Sequence, residues 1–443
     1  MPGISQDCSD RIPHAKRLVA RDAAWRVVWT MPVTTAPPTI AAASLSPAPV
    51  GSRPEGRRDA RLRLVDGALD MAWSKGWAER PTLDPEALIR KAASRTGCSS
   101  QGNGRGWRRR LALLSADLEC EAALTPLGRT IAHGQLVAAL SNRFRALALW
   151  RRHPEIARHP IRAPIIVLGQ MRSGTTRMQR LLACDPRLAY TRFYESWNPL
   201  RLNARRGAFD DRKLRGWLGL FCARMLNPDF ESIHPTRWNA ADEEIGLQSV
   251  SIFGSAFEAQ WRVPNYCAAV EADDGVEAYA EFRRLLQTIA WLRGDDGRRP
   301  WILKVPQFTQ DIPALLNAFS DARIINLSRD RAQLIASASS LVRNQMSLQS
   351  EQVDPRWIGR EWTRKVELRE DRTRAALACT NAPRIDVAFD DVNRDWAGEM
   401  QRVYRLLGMT LPPPVLARMR AYSDRSGNGA HTRHAYDRRD FGL

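Results

Sequence analysis

From Arg61 to Arg152 apolar residues recur at three- and four-residue steps, through Leu62, Leu64, Leu69 and Met71 and again from Leu111 to Leu114. That is the period of helices with one buried face. The glycine-, serine- and asparagine-rich stretch from Gly97 to Gly106 interrupts it, and Pro126-Leu127-Gly128 interrupts it again before Leu136 to Leu149. The pattern therefore predicts a cap of several helices. At Ala163 the texture changes: Pro164 precedes Ile165-Ile166-Val167-Leu168, a continuous apolar run of the kind found in strands buried on both faces. Similar runs occur at Trp301 to Leu303, Ile324 to Leu327 and Ile385 to Val387, and the last two precede helix-length segments at Arg331 to Arg343 and Trp396 to Leu407. Strand followed by helix, repeated, predicts an α/β fold with a parallel sheet. Between Tyr194 and Pro300 the segments read as helical, Tyr279 to Leu292 most clearly, and form an insertion on the substrate side. The expected organisation is a poorly ordered leader over 1–60, a helical cap over 61–160 and a phosphate-loop domain over 161–443, with 194–300 as its insertion and 424–443 as tail or lid.

Composition adds limits. In 443 residues, 44% are hydrophobic and 26% charged, close to globular averages, which excludes wholesale disorder and a disulfide scaffold. The formal charge is +19, but only six of the 67 basic residues are lysines (Lys16, Lys75, Lys91, Lys213, Lys304 and Lys365). Arginines scattered along the whole length, with no cluster interleaved with aromatics, read as a solvated basic surface rather than a nucleic-acid reading motif. The seven widely spaced cysteines contain no C-x-x-C pair, which predicts free thiols in a reducing, cytoplasmic setting. No stretch approaches the ~20 apolar residues of a membrane span. The first 60 residues, rich in alanine, proline and serine, lack the compact apolar run of a signal peptide, and Met31 is an alternative start.

The chemistry begins after the first strand, at Gly169-Gln170-Met171-Arg172-Ser173-Gly174-Thr175-Thr176, followed by Met178, Leu181 and Leu182 on one helical face. In a strand, glycine loop, helix sequence the loop amides converge on a phosphate and the helix dipole adds attraction. Gly169 and Gly174 have the spacing of the G-x-x-x-x-G-K-[ST] loop, but Thr175 stands in the lysine position. That lysine serves the β and γ phosphates, so its replacement argues against a nucleoside triphosphatase. The loop's only cation, Arg172, suits an anion at a 5′ position with no phosphate chain beyond it. Lys304 stands among apolar residues at the end of a predicted inner strand, where an unpaired ammonium is costly, so it should meet an anion.

The loop Arg172-Ser173-Gly174-Thr175-Thr176 resembles that of sulfotransferases dependent on 3′-phosphoadenosine 5′-phosphosulfate (PAPS), in the Arg-Ser-Gly-Thr-Thr form of the broad bacterial group and the tyrosylprotein enzymes. The likeness extends through Asp185-Pro186, Trp301 to Pro306 (tryptophan-x-leucine-lysine-x-proline) and Ala322 to Asp330, a strand ending in Arg-Asp. Ser337, eight residues after Arg329, keeps the family's spacing. Thr125-Pro126-Leu127-Gly128 and the closing Arg433-His434-Ala435-Tyr436 and Asp440-Phe441-Gly442-Leu443 are similar to the same group. The resemblance covers about residues 61 to 443.

The resemblance implies an enzyme that moves a sulfuryl group from PAPS to a hydroxyl or amine acceptor, without a metal. It implies that Arg172, Ser173, Gly174, Thr175 and Thr176 hold the 5′ side of the donor and that Arg329 and Ser337 hold the 3′-phosphate. Arginine offers a planar fork and serine a short hydroxyl, both suited to that anion. Lys304, assisted by Arg172, would neutralise charge as the sulfate bond breaks, since a loose in-line transition state needs mainly positioning and positive charge. Pro306 replaces the histidine of the cytosolic lysine-x-histidine pattern. Glu195, 23 residues beyond Arg172 and between aromatics, is then the expected base, with pairing to Arg192 as its structural alternative and His234 in reserve. Arg425, Gly427 and Gly429 lie where cytosolic members carry a lid, with Ser426 in place of lysine, and Arg433 and His434 join them as lid or as a packed terminal strand. Trp197, Trp238, Phe253, Phe257, Trp261 and Tyr266 line an apolar pocket or belong to the ordinary core. Two other readings remain at this stage: a phosphate-loop kinase needing Mg²⁺ and a triphosphate, and a non-catalytic nucleotide- or polyanion-binding protein exploiting the +19 charge.

Overall fold

The structure is a computed structural model that describes residues 59–98, 104, 106–203, 209–233, 235–426 and 437–443. The chain divides into a small unit, residues 1–55 and 71–80, and a large unit, residues 56–70 and 81–443. Of the small unit only 71–80 are described, and they are helical as far as Ser74. Everything below concerns the large unit.

Its N-terminal part is helical, as the three- and four-residue periodicity predicts: residues 60–70 are helical, and Pro85–Thr96, Gly106–Cys120 and Pro126–Arg152 follow. The proline-glycine interruption at 126–128 is a helix start. Thr125 Oγ1 accepts from the Gly128 amide at 3.0 Å, and Pro126 takes the first turn, where its missing N–H is no loss. A Cβ on Gly128 would lie 1.9 Å from the Gln349 carbonyl oxygen, so only glycine lets this helix close on the end of the helix Arg331–Gln349.

Five parallel strands follow in the order β2-β3-β1-β4-β5: β1 Ile165–Leu168, β2 Ala189–Tyr190, β3 Trp301–Leu303, β4 Arg323–Ser328 and β5 Arg384–Ala388. β1 pairs with β4 from Ile165↔Arg323 to Leu168↔Asn326 and with β3 at Ile165↔Ile302 and Ile166↔Leu303. All four β1 side chains are fully buried, because helices cover both faces of the sheet. One face packs on the helices of the cap and insertion through Ile166, Leu168 and Leu303, and the other packs Ile165, Val167 and Ile325 against Met178, Leu181 and Met400. The expected α/β sheet with a helical cap and helical insertion is the fold observed, and β2, a two-residue edge, is the one strand absent from the sequence reading.

Phe253, Phe257, Trp261 and Tyr266 are fully buried in the first of these cores, which makes them structural. Six cysteines are free thiols, and Cys8 lies outside the described residues. Residues 437–443 include a short turn, Arg438–Phe441, and the lid-or-strand alternative for Arg433 and His434 lies outside the described residues. Phe441 is buried against Ile358 and Trp362. Among the described residues no helix is long and apolar enough to cross a membrane.

Candidate functional site

With β1 central and β3 and β4 on either side, the chain segments leaving the C-terminal ends of these strands meet at the switch point of the sheet, where open α/β folds place their ligands. The loop after β1 turns through two glycines with positive φ, Gly169 (+154°) and Gly174 (+90°), and through Arg172 at +74°. A Cβ on Gly169 would stand 2.6 Å from Ser173 Oγ, and one on Gly174 would stand 2.7 Å from the Phe389 ring. Arg172 is the costly residue here, since a non-glycine in left-handed conformation is strained and persists where the surroundings over-determine it.

Those surroundings are the ends of β4 and its helix. The Arg172 Nε donates to Ser337 Oγ at 3.0 Å, and Arg329 Nη1 donates to the Arg172 carbonyl at 2.8 Å. Arg329 and Ser337 thus converge on one loop residue because the helix Arg331–Gln349 runs back past the tip of β4, capped by Asp330 accepting from the Gln333 amide at 2.9 Å. The Arg329 guanidinium lies 4.3 Å from the centre of the Phe389 ring, the same ring that closes on Gly174. Its Nε is buried with no hydrogen-bond partner among the described residues. Phe389 was not found by sequence reading, because nothing in one chain marks the first residue after β5 as facing the loop.

Lys304, directly after β3, is fully buried. Its ammonium donates to Thr176 Oγ1 at 3.1 Å and is ion-paired with Glu243, and its amide donates to Glu244 Oε2 at 2.8 Å. The expectation that this lysine meets an anion identifies the right chemistry, and the partner is a carboxylate of the chain. Burial pushes the Glu244 carboxyl up to about 8, against the hydrogen bond from the Lys304 amide and the Lys304 charge. The triplet Asp242-Glu243-Glu244 is fastened on three sides. Gln179 Nε2 from the phosphate-loop helix donates to the Asp242 carbonyl at 3.0 Å, Ser196 Oγ donates to the Glu243 carbonyl at 2.7 Å, and Thr236 Oγ1 donates to Asp242 Oδ2 at 2.8 Å. Sequence reading missed the triplet, although three consecutive acids in so basic a chain were the available signal.

Glu195 departs from its expected electrostatics. It is the third residue of the short helix Phe193–Trp197 and is fully buried. Both oxygens are engaged: Oε1 accepts from Arg293 Nε at 2.8 Å, and Oε2 accepts from the Arg192 amide at 3.0 Å and from Arg293 Nη2. Although burial alone would raise its pKa, the Arg293 hydrogen bonds and charge, with Arg192 adding to them, hold it below the usual carboxylate value. A base with a raised pKa was expected, and the structure gives an ionised helix cap of the kind foreseen in its structural alternative. Trp197 is partly exposed, and Trp238 lies 6.0 Å from the Tyr194 ring. Of the tail residues, Arg425 lies in the last turn of the helix Pro413–Ser426, whereas Gly427, Gly429, Arg433 and His434 lie outside the described residues, as does His234 of the insertion. Among the described residues no cluster of three or more His, Cys, Asp or Glu has metal-binding geometry.

A parallel sheet with a glycine loop after its central strand, and cations from the two flanking strands, defines an α/β protein with an anion site at its switch point. The sulfotransferase family model matches residues 164–413, and the chain belongs to that family. It is therefore an enzyme that transfers a sulfuryl group, which sets aside the kinase and non-catalytic readings. Among solved structures it is similar to sulfotransferase STF9 from Mycobacterium avium, at 25% identity and a TM-score of 0.69 over 81% of this chain and 92% of that one. It has the same fold as sulfotransferase STF1 from Mycobacterium tuberculosis H37Rv, at 24% identity and a TM-score of 0.71 over 82% of this chain and 97% of that one. No curated protein matches it significantly.

Proposed function

We propose that this sulfotransferase uses PAPS as donor and a hydroxyl-bearing molecule as acceptor, in a cytoplasmic setting. The observation that carries the reading is the convergence of Arg329, Ser337 and Arg172, which brings together the residues expected at the 3′- and 5′-phosphates of one nucleotide. Two details fit that donor. Arg329 keeps a buried Nε without a partner, and Gly174 leaves the loop open where a side chain would strike Phe389. The amides of Gly174, Thr175 and Thr176, at the start of the helix Thr175–Leu182, present the positive end of its dipole to the 5′ anion. Arg433, with Arg425, is retained as a lid residue over the 3′-phosphate.

In this proposal the acceptor oxygen attacks sulfur, the bond to the bridging oxygen breaks, and 3′-phosphoadenosine 5′-phosphate (PAP) leaves. Lys304 and Arg172 offset the charge that gathers on the leaving oxygen. The acceptor's proton goes to a carboxylate, and we assign that part to Glu243, whose side chain is 16% exposed and sits against the Lys304 ammonium. Glu195, ionised and with both oxygens occupied, keeps a positioning role. It holds Arg293 and the start of the helix whose Ser196 ties down the Glu243 backbone.

The test is thermal stabilisation by PAP, ADP and ATP with Mg²⁺ side by side, because selective binding to the native state raises the melting temperature. A shift with PAP and little with ADP is expected, and equal shifts with PAP and ADP would remove the 3′-phosphate from the proposal.

A further inference from the structure

The helix Asp211–Leu226 carries large apolar side chains on its outer face. Leu214, Trp217, Phe221 and Met225 are 51%, 47%, 48% and 64% exposed. Their spacing sets them within one narrow sector of the helix, because steps of three and four residues return to the same face. The Trp217 and Phe221 rings are already stacked, with centres 5.6 Å apart and planes 14° from parallel. The opposite face is committed inward through Arg212, Gly216 and Leu220, and Gly216 is pressed so closely on Tyr194 that a Cβ there would lie 2.5 Å from the Tyr194 Cβ. The helix is thus fixed beside the Glu195 segment, and it cannot roll its apolar stripe into the core.

Charge selects the occupant. Lys213 and Arg224, eleven positions apart and so on one line along the helix, border the stripe on the Trp217 side, and both are exposed, Lys213 towards solvent and Arg224 in an ion pair with Glu231. From Arg201 to Glu231 the sequence has seven basic residues against four acidic ones, a local charge of +3 within a chain of +19. A second copy of this face would set the same cations against each other across a two-fold axis, which an isologous interface does not favour. An amphipathic helix with Trp, Phe, Leu and Met on one side and a basic border instead matches the lipid interface, where apolar groups enter the acyl boundary and long cations reach phosphate headgroups. We infer that this helix docks the enzyme peripherally on an anionic bilayer. Docking there brings the Glu195 side of the catalytic domain to the lipid surface. Vesicle binding is read without turnover, so the inference stands or falls independently of the donor and acceptor.

The experiment is co-sedimentation of the full chain with phosphatidylglycerol–phosphatidylcholine vesicles and with phosphatidylcholine vesicles at moderate salt. It compares wild type, the double variant Trp217→Gln/Phe221→Gln, and Lys213→Glu. Wild type is expected to partition onto the anionic vesicles and weakly onto neutral ones. The double variant should lose about tenfold or more of that partition, given two aromatic side chains withdrawn from the apolar layer, and Lys213→Glu a smaller share. Both variants should keep the wild-type melting temperature, since the altered side chains are exposed. Unchanged binding by the double variant would mean that the general basic charge alone is responsible and would overturn the inference. Absence of wild-type binding, or a dimer in sedimentation velocity that the double variant dissociates, would overturn it as well, the latter in favour of a second copy.

Discussion

The Arg172 Nε donates to Ser337 Oγ at 3.0 Å, across 165 positions of sequence. Through this bond the strained loop after β1 is held by the helix that follows β4, while Arg329 fastens the same residue by its carbonyl. Both side chains therefore orient the loop, and in the proposed function they also offer donors to the 3′-phosphate. Ser337→Ala and Arg329→Ala should each weaken PAP binding, by about tenfold for the serine and a hundredfold or more for the charged arginine. Their effect on ADP, which lacks the 3′-phosphate, should be distinctly smaller. Isothermal titration with both nucleotides measures the difference, and equal losses for PAP and ADP would reduce the pair to loop supports.

Lys304 and Glu243 form the other pair at the loop, with Thr176 as the third member. Glu243→Gln preserves shape and removes the proposed base, so kcat should fall by about 10²- to 10⁴-fold with little change in the KM for donor. Lys304→Met should also depress kcat, by at least about 10²-fold, because it withdraws charge stabilisation from the leaving oxygen. A Glu243→Gln enzyme with near wild-type kcat would return the search for a base to Glu195 and His234.

Most of the fold and the donor loop were legible because they are local. The apolar run Ile165 to Leu168, the glycine spacing of 169 and 174, and the helix following each of β4 and β5 all lie within short windows where side-chain pattern reports backbone state directly. Even Asp395, with φ −145° and ψ 75° inside Phe389–Leu406, interrupts that helix just before Trp396, where the periodicity begins. β2 escaped because two residues, Ala189 and Tyr190, form no run. The site was legible where its residues lie on the loop or at strand ends, and illegible where it depends on the packing of distant segments. Glu195 sits between aromatics in sequence, but Arg293, 98 positions away, decides its ionisation. Glu243 meets Lys304 only because the loop after β2 pairs with residue 241 through the Arg192↔Ala241 bridge.

The Glu195–Arg293 pair yields a separate outcome. Glu195 is fully buried and Arg293 largely so, its guanidinium 5.0 Å from the centre of the Trp301 ring. Glu195→Ala strands that cation and removes the helix cap, so it should cost about 3–5 kcal/mol, seen as a lower urea midpoint at unchanged m-value. Glu195→Gln, which still accepts from the Arg192 amide, should cost less and keep substantial kcat well below its melting temperature. A stable Glu195→Gln protein with kcat reduced by about 10³-fold would instead establish Glu195 as the base.

Glu244 gives the chain a particular dependence on pH. Its folded-state pKa of about 8 lies above the ordinary glutamate value of 4.5, so the group is protonated in the fold at neutral pH and its contribution is fully present only below about 4.5. As pH rises from there through about 8 the unfolded chain releases that proton first, and stability drains away. Asp311, pushed up to about 7 by burial, acts in the same direction. Glu244→Gln cannot titrate yet can still accept from the Lys304 amide, so its stability should be less sensitive to pH. Relative to wild type it should gain between pH 5 and pH 9, by an amount on the order of a few kcal/mol. Urea denaturation of both proteins at those two pH values measures this, and parallel losses in the two would mean that Glu244 is ionised in the fold, its charge held by Lys304.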